Sequence, residues 1–173
     1  MEFKDTYEKY PISYVLTFCL VTLSIYLVGM GLFYAINPWL GLVFLVYALY
    51  TEAKIWRDGC TNCYYYGKRC ICARGLIAPL LFKKGDPKKF TAREMTMKDM
   101  IPNFMVAIFP VLAGAYLLWQ QFSIALLAVA IWPIFVMFVG NSVIYGKLAC
   151  PHCKQGETGC PACEFFSKRE KKK

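Results

Sequence analysis

The sequence predicts an all-α integral membrane protein. Its expected fold is a four-helix transmembrane bundle of two tandem helical hairpins, each followed by a cysteine-rich cytoplasmic metal-binding loop. The chain has 173 residues and is 58% hydrophobic, with a mean hydropathy of +0.41. A small soluble core cannot bury that much apolar surface. The apolar residues form four long runs, and eight of the nine cysteines form two short clusters.

The four apolar runs are each about long enough to cross roughly 30 Å of hydrocarbon as a helix. Asn37-Pro38 and Gln120-Gln121 separate the runs in pairs, and such residues favour tight turns between helices. We interpret the first run as a span rather than a signal peptide, because acidic residues precede it and no small-residue cleavage site follows it. The predicted spans are 11–36, 39–56, 101–119 and 122–145.

The spans divide the chain into four segments. Residues 1–58 and 101–146 are the two predicted hairpins. Residues 59–100 are a predicted cytoplasmic cysteine loop followed by a basic interfacial segment, in which 75–82 is apolar but too short to span. Residues 147–173 are a predicted C-terminal cysteine knuckle with a basic tail.

The basic residues predict the orientation in the membrane. All 20 Lys and Arg residues lie within residues 1–10, 54–98 and 147–173, and the two turns on the other face have none. Positive charge marks the cytoplasmic face, so both termini and the central loop are predicted to be cytoplasmic. The formal charge of +9 is then concentrated on one face, where it favours anionic lipids of the cytoplasmic leaflet over nucleic acid.

The two cysteine clusters have similar spacing. Each reads C-x2-C-x6-C and then a fourth cysteine, and each follows a pair of spans at nearly the same interval, 49 residues from Pro11 to Cys60 and 48 from Pro102 to Cys150. This pattern predicts an internal repeat of hairpin plus cysteine loop. The clusters are Cys60, Cys63, Cys70 and Cys72 in the first loop, and Cys150, Cys153, Cys160 and Cys163 in the second.

Cytoplasmic thiols stay reduced, so metal binding or redox chemistry is expected before structural disulfides. Four closely spaced thiolates suit the tetrahedral coordination of zinc, and we predict that all eight cysteines are zinc ligands. An iron–sulfur cluster or a single iron is the alternative, although neither loop has the bacterial ferredoxin spacing. Each loop either closes its own site, which requires less loop ordering, or shares an ion with the other loop.

Three classes of function agree with these features. The first is a membrane scaffold or adaptor whose metal-stapled loops bind a protein partner that the sequence does not identify. The second is a membrane-bound electron-transfer protein. The third is a thiol–disulfide oxidoreductase, which the predicted cytoplasmic position of the cysteines disfavours. No catalytic arrangement of residues is recognisable, so the sequence favours a protein that is not an enzyme.

Overall fold

The computed structural model describes residues 5–92, 97–161 and 163. Within these residues the regular elements are all helices, and there is no β-strand. Four helices are long and apolar enough to cross a membrane, which confirms the prediction of an all-α, multi-pass membrane protein. These candidate spans are Ile12–Ile36, Pro38–Asn62, Met100–Gln120 and Ile124–His152.

The helices begin and end close to the predicted positions, except that the fourth span continues well beyond residue 145. The chain of elements is α1 (Ile12–Ile36), α2 (Pro38–Asp58), α3 (Arg74–Leu81), α4 (Pro87–Thr91), α5 (Met97–Gln120), α6 (Ile124–Phe135), α7 (Asn141–Val143) and α8 (Lys154–Glu157).

The break between α1 and α2 is a single residue, Asn37. Its side-chain oxygen accepts a hydrogen bond from the Trp39 amide at 2.9 Å, and its carbonyl accepts from the Leu40 amide at 3.0 Å. Pro38 opens α2, where the N–H that proline lacks has no intrahelical partner. The Asn-Pro pair therefore ends one helix and caps the next.

The fourth span changes its hydrogen-bond pattern after Pro133. The α-helical part ends at Phe135, and the chain continues as π-helix over Val136–Gly140 and again over Ile144–Ala149. Proline lacks the N–H that an α-helix requires at its position, and π-helical segments accommodate such local irregularity. The second of these segments ends directly before Cys150.

The chain folds into two compact units, each assembled from separate stretches. We call the first the cysteine unit, because it contains both cysteine clusters, and the second the apolar unit. The cysteine unit comprises Met1–Cys19, Ala53–Met95 and Asn141–Lys173, and the apolar unit comprises Leu20–Glu52 and Thr96–Gly140.

The apolar unit has a core of side chains from four helical segments: Ile25, Phe44, Val106 and Val136. The rings of Phe33 and Phe44 stack with centroids 5.2 Å apart. Lipid tails are as apolar as these side chains, so close packing rather than exclusion from water has to hold such helices together.

Gly114 lies where α5 and α6 approach closely. A Cβ atom at this position would lie 2.4 Å from the Cβ of Ala130. Real Cβ atoms do not approach so closely, so any side chain here forces the two helices apart. Gly31 of α1, by contrast, has nothing within 4 Å of where its Cβ would be.

We predict that Gly114→Ala destabilises the protein by about 1–3 kcal/mol because of this overpacking. The matched control, Gly31→Ala, should be neutral or slightly stabilising, because alanine favours a helix interior over glycine. Unfolding in mixed micelles of mild detergent and SDS measures both variants. Equal stability of the two variants would contradict the close approach.

Candidate metal centre

The first C-x2-C sequence of each cluster folds into the same local structure. Cys60–Asn62 and Cys150–His152 each form a single turn of 3₁₀-helix. In each turn the amide of the second cysteine donates to the carbonyl of the first at 3.3 Å, from Cys63 to Cys60 and from Cys153 to Cys150. The similar spacing in the sequence therefore corresponds to similar backbone conformation.

Backbone amides point at the sulfur atoms in both loops. The Gly75 amide donates to the Cys70 sulfur at 3.3 Å. The amides of Gln155 and Gly156 donate to the Cys153 sulfur. Hydrogen bonds of this kind stabilise a thiolate, and the loops therefore supply the partners that negatively charged sulfur requires.

The four cysteines of the second loop lie together. Cys150 and Cys163 are buried, and Cys153 and Cys160 are half-buried. Hydrogen bonds with the thiols of Cys150, Cys153 and Cys160 raise the pKa of the Cys163 thiol. The hydrogen bond from Cys163 lowers the pKa of Cys153. One thiol thus interacts with all three others of its cluster.

The first loop pairs its last two cysteines more tightly than the rest. The hydrogen bond from Cys72 lowers the pKa of Cys70 to about 6, and the same bond, followed by burial, raises the pKa of Cys72. Burial raises the pKa of Cys63 to about 12, and the charges of Cys153, Cys60 and Cys70 add to this effect. All four cysteines of this loop are half-buried.

Within the described part of the chain, no group of three or more Cys, His, Asp or Glu side chains is arranged to hold a metal ion. Metal binding requires deprotonated sulfur, so an ion that binds these cysteines would release their thiol protons.

Tyr10 connects the segments that lead into both clusters. Its side chain is only 1% exposed, and its hydroxyl donates to the carbonyl of Ala149 at 2.6 Å. Its amide donates to the carbonyl of Arg69 at 2.9 Å, and the Arg69 side chain donates back to the Tyr10 carbonyl at 2.8 Å. Because Arg69 precedes Cys70 and Ala149 precedes Cys150, one residue positions both loops.

Tyr65 makes the second link between the loops. Its hydroxyl donates to the carbonyl of Tyr7 at 2.6 Å and accepts from the amide of Lys154 at 3.1 Å. The side chain is 2% exposed. The ring of Tyr65 therefore packs inside the cysteine unit.

Gln155 joins the loops through its buried side-chain amide. Its oxygen accepts from the Tyr64 amide at 2.6 Å, and its nitrogen donates to Thr158 Oγ1 at 3.1 Å and to the Gly159 carbonyl at 3.2 Å. A buried amide with partners on both ends orders the chain that contains it. The turn after Cys153 is therefore attached to the turn after Cys63.

His152, the only histidine, is engaged by the N-terminal segment. Its ring stacks on Tyr7 with centroids 4.9 Å apart, and Nδ1 lies 3.1 Å from the Asp5 carbonyl oxygen. The Tyr7 amide also donates to the His152 carbonyl at 3.0 Å. These contacts agree with a supporting position for His152 beside the cysteines.

Glu8 forms a charged cluster on the surface of the same unit. Hydrogen bonds from Lys154, Tyr64 and Lys68 lower the pKa of its carboxyl from 4.5 to about 2. Lys68 also lies 4.1 Å above the Tyr64 ring. The N-terminal segment is thus held to both loops by ionic contacts as well as by backbone hydrogen bonds.

Comparison with known proteins returned no match, whether with family models, curated proteins or solved structures.

Gly75 shows why the first loop needs a glycine where α3 begins. A Cβ atom there would lie 2.2 Å from the Tyr65 carbonyl oxygen and 2.5 Å from that of Lys68. The Gly75 carbonyl accepts from the Gly67 amide at 2.9 Å. The backbone therefore passes close enough for the Gly75 amide to reach the Cys70 sulfur.

The N-terminal segment is a part of the site that the sequence did not predict. Residues 5–10 were assigned only to the basic face of the membrane, yet Tyr7, Glu8 and Tyr10 contact both loops. The one signal available was the presence of two tyrosines directly before an apolar span, which equally fits a membrane-interface anchor.

We predict that Tyr10→Phe destabilises the cysteine unit by about 1–3 kcal/mol, because it leaves the buried Ala149 carbonyl without its donor. Pulse proteolysis in detergent across a urea series measures the effect. The control Tyr34→Phe, at an exposed tyrosine of α1, should leave the transition unchanged. Identical urea midpoints for both variants would show that Tyr10 does not link the two loops.

Proposed function

We propose that this integral membrane protein binds metal ions, zinc in the first instance, through its two cysteine loops on the cytoplasmic side of the membrane. The stiffened cysteine unit then serves as a scaffold for a protein partner. The observation that carries the proposal is the pair of matching cysteine turns, Cys60–Cys63 and Cys150–Cys153, each closed by a backbone hydrogen bond of 3.3 Å within one compact unit. With two further cysteines in each loop, such turns offer the four thiolates that zinc prefers.

The ligands in the second loop are Cys150, Cys153, Cys160 and Cys163, and those in the first are Cys60, Cys63, Cys70 and Cys72. Zinc bound there would neutralise the charge of the thiolates and cross-link the loop, and it has no redox chemistry of its own. In zinc-finger peptides such binding contributes about 10–16 kcal/mol of folding free energy. Loops as short as these depend on such a contribution more than the membrane spans do.

Local closure of each site is the arrangement we favour. Cys163 hydrogen-bonds to three thiols of its own loop. A shared ion has support from the electrostatic influence of Cys153 on Cys63 and from the hydrogen bond between Tyr64 and Gln155. Both arrangements place the two clusters in one cysteine unit.

The scaffold role rests on the way the unit is tied together. Tyr10, Tyr65 and Gln155 join segments that lie far apart in the sequence. Two metal-closed loops joined in this way form a rigid surface, which is what docking of a partner requires. An electron carrier with iron–sulfur or rubredoxin-like iron is the competing function, and it uses the same eight sulfurs.

We predict that protein purified anaerobically contains zinc and is colourless. Cys160→Ser should lower the bound metal by one ion per chain and expose the second loop to protease, while the four spans remain inserted, because insertion depends on the apolar runs. Cys72→Ser should act in the same way on the first loop alone. Elemental analysis, visible absorption and limited proteolysis measure these effects.

Cys19, in α1, provides the matched control, and Cys19→Ser should leave the metal content unchanged. If either single loop variant disturbs both loops, the ions are shared between them. If the purified protein is brown or red and contains iron, the electron-carrier function is supported and the scaffold function is rejected. Wild-type metal content in both Cys160→Ser and Cys72→Ser would reject the ligand assignment.

The cytoplasmic orientation has its own test. All Lys and Arg residues fall on the loops assigned to one face, so a membrane-impermeant thiol reagent should not label Cys60 or Cys150 in intact cells. Labelling should follow only after lysis and metal removal. Gln121→Cys, between α5 and α6, is the positive control and should react from outside. Rapid labelling of Cys60 in intact cells would reverse the topology.

A further inference from the structure

The outer face of α3 is apolar and uncovered. Leu80 is 81% and Leu81 60% exposed, and Leu76 and Ile77 are exposed beside them. The opposite face consists of small residues packed into the cysteine unit, where Gly75 and Ala78 are buried. The helix therefore has one face of small residues packed against its own unit and one face of large apolar side chains that point away from it.

The packing of α3 fixes the direction of this face. Gly75 fits against the carbonyl oxygens of Tyr65 and Lys68 with no room for a side chain. At the other end of the helix, the Phe82 carbonyl accepts from the Tyr66 hydroxyl at 2.8 Å. Rotation that would bury Leu80 is incompatible with these contacts, so the apolar face has to be covered by something else.

Four lysines follow the apolar face directly. Lys83, Lys84, Lys88 and Lys89 are exposed, and none of them forms an ion pair with another described residue. The nearest acidic residue, Asp86, uses its carboxylate to cap α4 by accepting from the Lys88 amide at 2.9 Å. The surface next to the leucines is therefore strongly positive.

This surface is attached to the end of a membrane-spanning helix. The Gly85 amide donates to the Thr61 carbonyl at 3.0 Å, and Thr61 follows the last residue of α2, Asp58, by only three positions. A Cβ at Gly85 would collide with Asn62 Oδ1. The lysines are thus held beside the end of a candidate span, which is the depth of lipid headgroups.

We propose that α3 and the lysines after it dock on anionic phospholipid at the membrane surface. The leucines and Ile77 enter the boundary between headgroups and acyl chains, and the lysines pair with phosphates. Lysines of one sign would repel the same surface on a second copy, and nucleic acid offers nothing to cover Leu80 and Leu81. The proposal rests on the exposed face of α3 and its lysines and not on metal binding by the cysteines.

The test uses the full chain with a photo-crosslinking amino acid in place of Leu80. The protein is reconstituted in nanodiscs of phosphatidylcholine alone or with phosphatidylglycerol, and adducts are identified by mass spectrometry. We expect roughly tenfold more lipid adduct in the anionic discs, since each lysine near an anionic surface strengthens the contact. Lys83→Gln with Lys84→Gln should reduce the yield nearly to that of phosphatidylcholine, and high salt should do the same.

A charge-matched control comes from Lys9→Gln with Lys147→Gln, two exposed lysines outside this segment, which should preserve the adduct. Equal yields in neutral and anionic discs, or equal losses in the two double variants, would overturn the proposal. A predominant crosslink to a second copy of the chain would also overturn it and assign the face to self-association.

Discussion

The cysteine unit depends on the hydrogen bond from the Tyr10 hydroxyl to the Ala149 carbonyl, at 2.6 Å. A tyrosine ring buried this completely needs a partner for its hydroxyl, and burial raises the pKa of Tyr10, so that the group stays a neutral donor. The same residue pairs with Arg69 through its backbone. Removing it would leave the approaches to Cys70 and Cys150 joined only by the contacts of Tyr65, Gln155 and their neighbours.

The two units are stabilised by different physics. In the apolar unit the helices are held by close contacts such as that of Gly114 with Ala130, because the surrounding lipid supplies no hydrophobic force between spans. In the cysteine unit, polar contacts connect loops of little regular structure, and Gln155 and Tyr65 are buried with partners at each polar atom described above. Loops held in this way gain most from ligands that bind their thiols together, which is the physical basis of the proposed metal sites.

Parts of the site were predictable because they are local. A C-x2-C sequence can form one tight turn from its own residues, and the first such sequence of each cluster does so with the same 3.3 Å hydrogen bond. Gly159, between the cysteine pairs of the second loop, has a φ of +105°, a backbone conformation that glycine adopts readily. Tyr7, Tyr10 and Gln155 were not predictable, because an isolated tyrosine or glutamine carries no spacing pattern and its partner is remote in the sequence.

Hydropathy and cysteine spacing were enough to predict four helices long and apolar enough to cross a membrane and two cysteine turns, since each is determined within about 20 consecutive residues. The chain alone does not reveal that both turns belong to one unit, or that the N-terminal segment joins them. The contact between Tyr10 and Ala149 links residues 139 positions apart, and that between Tyr64 and Gln155 links residues 91 apart. Such pairs form only when the helices between them have packed, because their free energy depends on burial in the assembled unit and not on any local preference of the sequence.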